Sequence, residues 1–544
     1  MRPHKLAGSL TAAALLATVV AGCSGGGSAA TSPSPSGSPA SSASAKPADD
    51  KPMTISIKNN NNAPQDPNSP LTKELEKLWN VKLNYVYIEP AKEAELLNLR
   101  ISSGDIPDVM KLFSNLYSSF AQQGVLAEIP LDMIQKYAPT YYKLVKQNGG
   151  DNIFDFYKVN GKNYALPDLA ATPYNFIPIW RDDWLKAVGI AKTPETLEEA
   201  EAAFYKFVNN DPDGNGKKDT YALSDKGMIA VFGAFGSPGI DNFYWSETGG
   251  QIIASGVLPG MKDALKLLRK WYKDGLIDPE FITGENKGQY FANSIPFWNG
   301  KIGFTVPGVY YHVVPKMYED DPNDLGSAFY QNFKKVLGDK ATYAAGLPWK
   351  GPSGEPGILK WGTTNGNSVT FGKQVAGDPR KMQKVLEMVE KFHADFDYYK
   401  LARYGVKGQM YELNPVTGLP YGINDYKDSA KWVAAGIAAN GIGMPEVNHE
   451  FFRKTQISPK VMEYAKTYSM ATTKYNKDIV FAGLPSDGKY KKTLETKIKE
   501  WYVLFITGQK DADKDWDSFL DDLNKNGLAE LTKEANDWYK TYFR

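Results

Sequence analysis

Between residues 53 and 112 the chain alternates short apolar strands with capped helices, and few folds accept that order. Met53-Thr-Ile55-Ser-Ile57 reads as a strand that runs into a polar loop. Ser69 is an N-cap with Pro70 at the first helical position, and this helix extends to Asn80. Val81, Leu83, Tyr85 and Tyr87 alternate as a second strand. Residues 93–102 read as a helix and 106–112 as a third strand. A βαβαβ order predicts a parallel sheet covered by helices, with its working loops at the C-terminal ends of the strands. Asn59, Asn60 and Asp66 stand in one such loop, and Phe113 and Asn115 in another.

A second informative stretch runs from 159 to 223. A turn and strand at 161–166 lead into a crossing bracketed by Pro167 and Pro178. Thr196 and Glu199 have the spacing of a capping box, and Leu197, Ala200, Phe204 and Phe207 follow at helical spacing. That helix runs into Asp211-Pro-Asp213-Gly-Asn215-Gly216-Lys217-Lys-Asp219. Asp211, Asp213, Asn215 and Asp219 put oxygens at positions 1, 3, 5 and 9 of an EF-hand-like loop, and Gly216 falls where that loop turns sharply. The Lys217 carbonyl supplies position 7, so the spacing predicts a structural Ca²⁺. Position 12 is Ala222, so Thr220 or water must replace the usual bidentate Glu. The competing reading is a solvated acidic turn, because Asp-Gly and Asn-Gly are turn formers.

The N-terminus constrains location rather than fold. Arg2 and Lys5 precede an apolar run, and residues 1–22 read as a signal peptide ending in Val20-Ala21-Gly22 before Cys23. That junction resembles a bacterial lipobox, in which the Cys is lipidated after cleavage. Cys23 is the only cysteine, which excludes a disulfide framework and a cysteine metal site. Residues 23–50 are rich in Ser, Gly, Ala and Pro and form a flexible tether. The expected location is the outer face of the cell membrane, reached through a lipid and a leash.

Charge excludes one class of partner. The chain has 63 Lys+Arg against 62 Asp+Glu, and loss of Arg2 and Lys5 leaves 61 against 62. A net charge near zero argues against nucleic acid and gives no long-range field for a polyanion. Aromatic residues are 13% of the chain, enough to fill large cores and still leave rings for a ligand surface.

The remainder is mostly helical. Ala264, Leu265, Leu268, Trp271 and Tyr272 make a face that stops at Gly275. Met382, Val385, Val389, Phe392 and Phe396 make another, and the region from Thr493 onward is helical. A turn and strand begin at Trp298 and end in Val306-Pro-Gly-Val-Tyr310.

Several segments occur in a telling order: Ile101-Ser-Ser-Gly-Asp-Ile-Pro-Asp108, Gly124-Val-Leu-Ala-Glu-Ile129, Asn160-Gly-Lys-Asn-Tyr-Ala-Leu-Pro167 and Arg181-Asp-Asp-Trp-Leu185. The acidic loop, Trp271-Tyr-Lys-Asp-Gly-Leu-Ile-Asp-Pro-Glu280 and Phe505-Ile-Thr-Gly508 continue the series. Together they resemble the extracellular solute-binding proteins, family 1, of carbohydrate ABC importers, the lipoproteins of the alginate-binding type. The resemblance implies an α/β, two-lobed periplasmic-binding-protein fold of type II-like character, with crossing segments between the lobes and a ligand cleft. It assigns 53–174 plus 307–368 to the N-terminal lobe and 178–305 plus 375–544 to the other. It implies an oligosaccharide ligand, a permease partner, a monomer, and calcium on Asp211, Asp213, Asn215, the Lys217 carbonyl, Asp219 and Thr220.

Sugar sites place aromatic faces against C–H-rich ring faces and polar groups on hydroxyls. Tyr244 and Trp245 lie in a Gly-broken aromatic segment suited to a cleft wall. Tyr310 follows the strand after which related sugar binders place a stacking ring. Tyr174, Trp298 and Trp361 are further candidates, with core packing as the alternative for each. Enzyme readings have little support. The four histidines show no metal-ligand spacing, and no nucleophile elbow or P-loop is present. Asp182 and Asp183 could serve a surface glycosidase, but they better fit a helix N-terminus. A ligand sensor for a membrane receptor is the remaining alternative to import.

Overall fold

The computed structural model describes residues 51–543 apart from 60, 171–173, 240–242, 284–293, 361–363, 438–442, 471–478 and 481–482. The signal peptide, Cys23 and the tether therefore lie outside the described residues, as do Asn60 and Trp361. Residues 52–544 form one compact unit. Among the described residues no helix is long and apolar enough to cross a membrane.

The opening alternation folds as its pattern predicts. Strand β1 (Met53–Lys58) pairs in parallel with β2 (Val81–Tyr85) and with β3 (Val109–Phe113). Helix α1 (Pro70–Trp79) starts at Ser69, whose hydroxyl accepts the Thr72 N–H at 3.1 Å, and ends at Asn80 in the left-handed region. Helix α2 spans Glu93–Ser102. The third strand starts at Val109 rather than at 106, beyond Pro107, which has no N–H to give a ladder. Two further strands complete a five-stranded sheet, β4 (Leu166–Leu169) and β8 (Thr364–Phe371), in the order β2-β1-β3-β8-β4. Strand β8 runs antiparallel between β3 and β4, so the sheet is mixed rather than parallel throughout.

Two large cores follow from this plan. The first gathers Ile55, Leu83 and Leu112 of the sheet with Leu71 and Leu97 of α1 and α2. The second is built on aromatic rings. Strand β5 (Ile179–Arg181) lies between β6 (Phe304–Thr305) and β7 (Tyr343–Ala345), all antiparallel. There Trp180 packs on Phe304 at 4.5 Å, and Phe304 stacks on Trp349 at 4.7 Å. Helix α3 (Leu197–Asn209) buries Leu197, Ala200, Phe204 and Phe207 on this core, and α4 (Met261–Lys273) buries Ala264, Leu265, Leu268 and Trp271. The capping box is only half formed. Thr196 accepts the Glu199 N–H, but the Glu199 carboxylate accepts from Glu195, one residue beyond the cap.

The helices beyond residue 375 divide between the two cores. Helix α5 (Pro379–Ala394) buries Met382, Val385, Val389 and Phe392 in the first core, as do Met444 and Val447 further on. Val375, Met382, Val385, Val389, Phe392, Met444 and Val447 therefore share a core with the N-terminal strands. Trp349, expected in the N-terminal lobe, packs in the second core, and β7 pairs with β5. An amphipathic helix shows that it has a buried face but not which core receives it. The last helix, α8 (Leu528–Phe543), touches both. Asn536 exchanges two bonds with Ile252 of the second lobe, while Trp538 and Tyr542 pack on Phe156 of the first.

Candidate ligand cleft and acidic loop

The chain passes between the two cores through residues 174–178, and every step of this crossing is hydrogen-bonded. Asn175 N donates to Ser469 O at 2.6 Å, Phe176 N to Leu359 O at 2.9 Å and Ile177 N to Gly308 O at 2.7 Å. The Pro178 carbonyl accepts from Gly346 N at 2.8 Å. A third apolar cluster surrounds the crossing and contains Tyr174, Ile177, Trp298, Val309 and Tyr310. Gly308 is a close approach, since a Cβ there would fall 2.3 Å from His312 Nδ1. That ring nitrogen accepts the Val309 N–H at 3.1 Å, which requires a neutral imidazole. Burial pushes the His312 pKa down to about 4.

The crossing brings two predicted rings together. Tyr174 and Tyr310 lie with ring centroids 4.9 Å apart, both nearly buried. Burial, together with the Tyr174 hydroxyl, holds the Tyr310 phenol well above its ordinary range. Tyr311 stands edge-on to Tyr310 at 5.3 Å and is partly exposed. Trp298 belongs to the same cluster, edge-on to Phe329 at 6.0 Å.

Other predicted ligand residues fall elsewhere. Trp245 is 1% exposed, packs against Phe243 at 5.1 Å and belongs to the second core. Of its strand (Trp245–Thr248) Trp245 alone is buried, while Glu247 and Thr248 are exposed. Tyr244 is half-buried against the same core. Asn59 is buried and donates to Gln65 Oε1 at 2.8 Å, and Asp66 is exposed and accepts the Asn68 N–H. Phe113 ends β3, pairing with Asn367, and Asn115 lies in the helix that follows (Ser114–Gln122).

A cavity of about 270 Å³ was not legible in the sequence. Its walls include Arg403, Tyr404, Leu419, Trp432, Thr455 and Gln456. Thr455 and Gln456 end helix α6 (His449–Gln456), and the next residue, Ile457, enters the cluster at the crossing. The Arg403 guanidinium lies 3.3 Å from Glu446 Oε2. Burial pushes the Glu446 carboxyl up to about 7. These residues come from four separated segments, and no motif links them.

The acidic loop caps the far end of α3. Asp211 has φ 45°, and Gly214 and Gly216 have φ 68° and 75°, so the backbone coils tightly. Asp211 accepts the Gly216 and Asn215 N–H groups at 2.8 and 3.2 Å. The Asn215 amide donates to Asp213 at 2.8 Å and to Asp219 at 3.2 Å. Asp213, Asn215 and Asp219 are therefore joined side chain to side chain, and Asp211 is tied to the same turn through backbone N–H groups. The Gly216 N–H lowers the Asp211 pKa, whereas partial burial and the neighbouring Asp211 raise that of Asp213. Among the described residues no group of three or more His, Cys, Asp or Glu side chains is arranged to hold a metal ion, and here the Asn215 amide stands between Asp213 and Asp219. The donors are all oxygens, which suits a hard cation such as Ca²⁺. Thr220 does not join them, because its buried hydroxyl donates to Phe207 O at 3.0 Å.

Residues 71–366 match the family described as bacterial extracellular solute-binding protein. A polygalacturonan/rhamnogalacturonan-binding protein of Bacillus subtilis, YtcQ, is 26% identical over 355 residues, 64% of either chain. The fructooligosaccharide ABC transporter substrate-binding protein FusA of Streptococcus pneumoniae is 23% identical, covering 88% of each. Among solved structures, the alginate-binding protein AlgQ2 without calcium ion superposes with a TM-score of 0.66 at 20% identity, over 90% of this chain and 99% of that one. FusA carrying an EF-hand mutation, with fructo-nystose, superposes with a TM-score of 0.60 at 18% identity, over 90% and 99%. Those neighbours share this two-domain fold. The chain belongs to the bacterial extracellular solute-binding proteins.

Proposed function

We propose that this protein captures an oligosaccharide between its two lobes, without altering it, and delivers it to a membrane permease of an ABC importer. The observation that carries the reading is the crossing at 174–178, where the Tyr174–Tyr310 pair stands between two separate cores. Relatives named for sugar polymers and fructooligosaccharides support the ligand class. Tyr174 and Tyr310 would supply ring faces, assisted by Trp298 and Tyr244 and by the polar loop of Asn59 and Asp66. The near-zero net charge favours a neutral or weakly charged glycan.

The protein would act as a monomer at the outer face of the cell membrane, held by lipid on Cys23. The acidic loop would hold one structural Ca²⁺ through Asp211, Asp213, Asn215, Asp219 and the Lys217 carbonyl. The convergence of these groups supports this, as does the EF-hand named in FusA. Melting temperatures recorded across a panel of glycans test the main reading. A ligand that binds only the folded state raises stability by about 2.7 kcal/mol at a hundredfold excess over Kd. A panel in which no glycan shifts the transition, or one in which a sugar is returned cleaved, refutes it.

A further inference from the structure

A hairpin of two short strands, Tyr411–Leu413 and Pro420–Gly422, stands on the first core. Met410 at its base is buried there, and Tyr411 packs on Tyr404 with ring centroids 5.7 Å apart. The tip of the hairpin is a closed turn built on Asn414. Asn414 Oδ1 accepts the Val416 and Thr417 N–H groups at 2.8 and 3.1 Å. Gly418, at φ 72°, donates its N–H to Asn414 O at 2.8 Å. The same side chain also reaches out of the turn, where Asn414 Nδ2 donates to Asp321 Oδ2 at 2.7 Å.

Asp321 belongs to the other side of the crossing. Its loop leads through the Ser327 cap into the helix Ala328–Leu337, and Phe333 of that helix lies in the third cluster. The Phe333 ring is 5.7 Å from the guanidinium of Arg181, which ends β5. This loop is braced without the hairpin. Asp321 accepts the Asn323 N–H at 2.9 Å through Oδ1, and Asp324 Oδ2 accepts those of Met317 and Tyr318 at 2.7 and 2.8 Å. Asp321 and Asn414 are 3% and 5% exposed, whereas Leu413 and Val416 on either side of Asn414 are 42% and 60% exposed.

Two preformed turns therefore meet through one amide–carboxylate bond. Parting them undoes neither turn, because each keeps its own internal bonds. What is lost is one hydrogen bond to a charged group, enough to shift an equilibrium roughly tenfold or more. A cleft that admits and releases a ligand requires contacts of that size between its lobes, which can be broken and remade.

We infer that the hairpin tip is a strap across the cleft, made when the lobes draw together and broken when they part, with the Asn414–Asp321 bond as its catch. The inference rests on the two-lobed capture reading above. It adds to that reading an element, outside the crossing, that sets how readily the lobes separate.

The test needs no ligand. Small-angle scattering of the purified ligand-free protein, with the tether present in every variant, reads the separation of the lobes. Asn414→Asp keeps an acceptor for the Val416 and Thr417 N–H groups but sets a second carboxylate against Asp321. The radius of gyration should rise, while the melting temperature changes little. Adding Asp321→Asn restores an amide facing a carboxylate and should return the radius to that of the parent. An unchanged radius in Asn414→Asp, even with a lower melting temperature, overturns the strap, as does an expansion that the exchange fails to reverse. Either result leaves the importer reading standing. Failure of every glycan to bind, in a protein whose radius responds as described, removes the importer reading and leaves the strap.

Discussion

Asn175 and Ser469 hold each other by two bonds, although 294 residues separate them. Asn175 N donates to Ser469 O at 2.6 Å, and Ser469 Oγ donates back to Asn175 O at 2.7 Å. Both residues are fully buried, and Ser469 ends a π-helical turn at Ala465–Ser469. A wider turn rotates a side chain out of the α register, which here aims Ser469 at the crossing. The middle of the crossing is thus tied to an element from the far end of the chain.

Ser469→Ala removes one of these two bonds and leaves the Asn175 carbonyl buried without that donor. A cost of about 0.5–1.5 kcal/mol is expected, the net worth of one hydrogen bond, since Asn175 also bridges to Lys360. Chemical denaturation of the variant measures it. An unchanged midpoint would mean that the crossing is held by its other bonds alone.

Tyr310 and Trp245 should separate cleanly by their readouts. Trp245→Ala opens the second core and should cost about 3–5 kcal/mol of stability, with ligand affinity changed only through that loss. Tyr310→Ala should weaken glycan binding several-fold, since a well-placed ring contributes on the order of 1 kcal/mol. Calorimetry beside thermal melts distinguishes the two. A Trp245→Ala protein that melts normally but no longer binds would return that ring to the cleft.

These two rings also mark how far sequence reaches. Local rules placed α1 and its Ser69 cap, α2, the strand order from 53 to 113 and the acidic loop, because caps, periodicity and turn glycines act within a few residues. Trp245 and Tyr310 look alike in sequence, each following glycines in an aromatic stretch, and only long-range packing assigns one to the second core and the other to the cluster at the crossing. The same holds for β8, which enters the sheet between β3 and β4 from more than two hundred residues away. Arg403, Trp432 and Gln456 meet only in three dimensions. Their segments carry no shared spacing from which the cavity could be inferred.

Cys23→Ser should release the protein from the membrane or leave its precursor uncleaved if the proposed lipid anchor holds, since the chain contains one cysteine and the apolar run before it reads as a signal peptide. Fractionation of cells that express the variant checks this. Full membrane retention at mature size would exclude the lipid anchor.

Chelation should lower the melting temperature if the acidic loop holds calcium. Asp213→Ala should abolish that response, and elemental analysis should find about one metal ion per chain. The loop's own hydrogen bonds give the sign. Partial burial and the bond to Asp211 raise the Asp213 pKa, so a divalent ion that takes up this carboxylate offsets the cost of its charged form. A melting curve indifferent to chelator, with no metal detected, would leave the loop as a hydrogen-bonded turn.

Acid should destabilise the protein through two buried histidines. His312 accepts the Val309 N–H through Nδ1, and His393 lies with Nδ1 2.6 Å from Val389 O inside the first core. Burial lowers both pKa values from 6.5 to about 4. The unfolded chain therefore binds protons near pH 6.5 that the folded chain refuses until about pH 4. Stability is full above 6.5 and falls as pH drops through that window. At 1.36 kcal/mol per unit, each histidine contributes a loss on the order of 3 kcal/mol by its lower end. Glu446 acts oppositely, because burial raises its pKa to about 7 and the folded state gains a proton as pH falls toward 4.5. His449, also lowered by burial, adds to the histidine side, and Asp487, raised by burial, adds to that of Glu446, so the net slope is the balance of the two sets. His312→Asn keeps an acceptor near the Val309 N–H but cannot titrate, so it should lose less stability than the parent between pH 6.5 and 4. Denaturant midpoints taken across that range decide it, and parallel curves for the two proteins would rule out His312 as a source of the acid sensitivity.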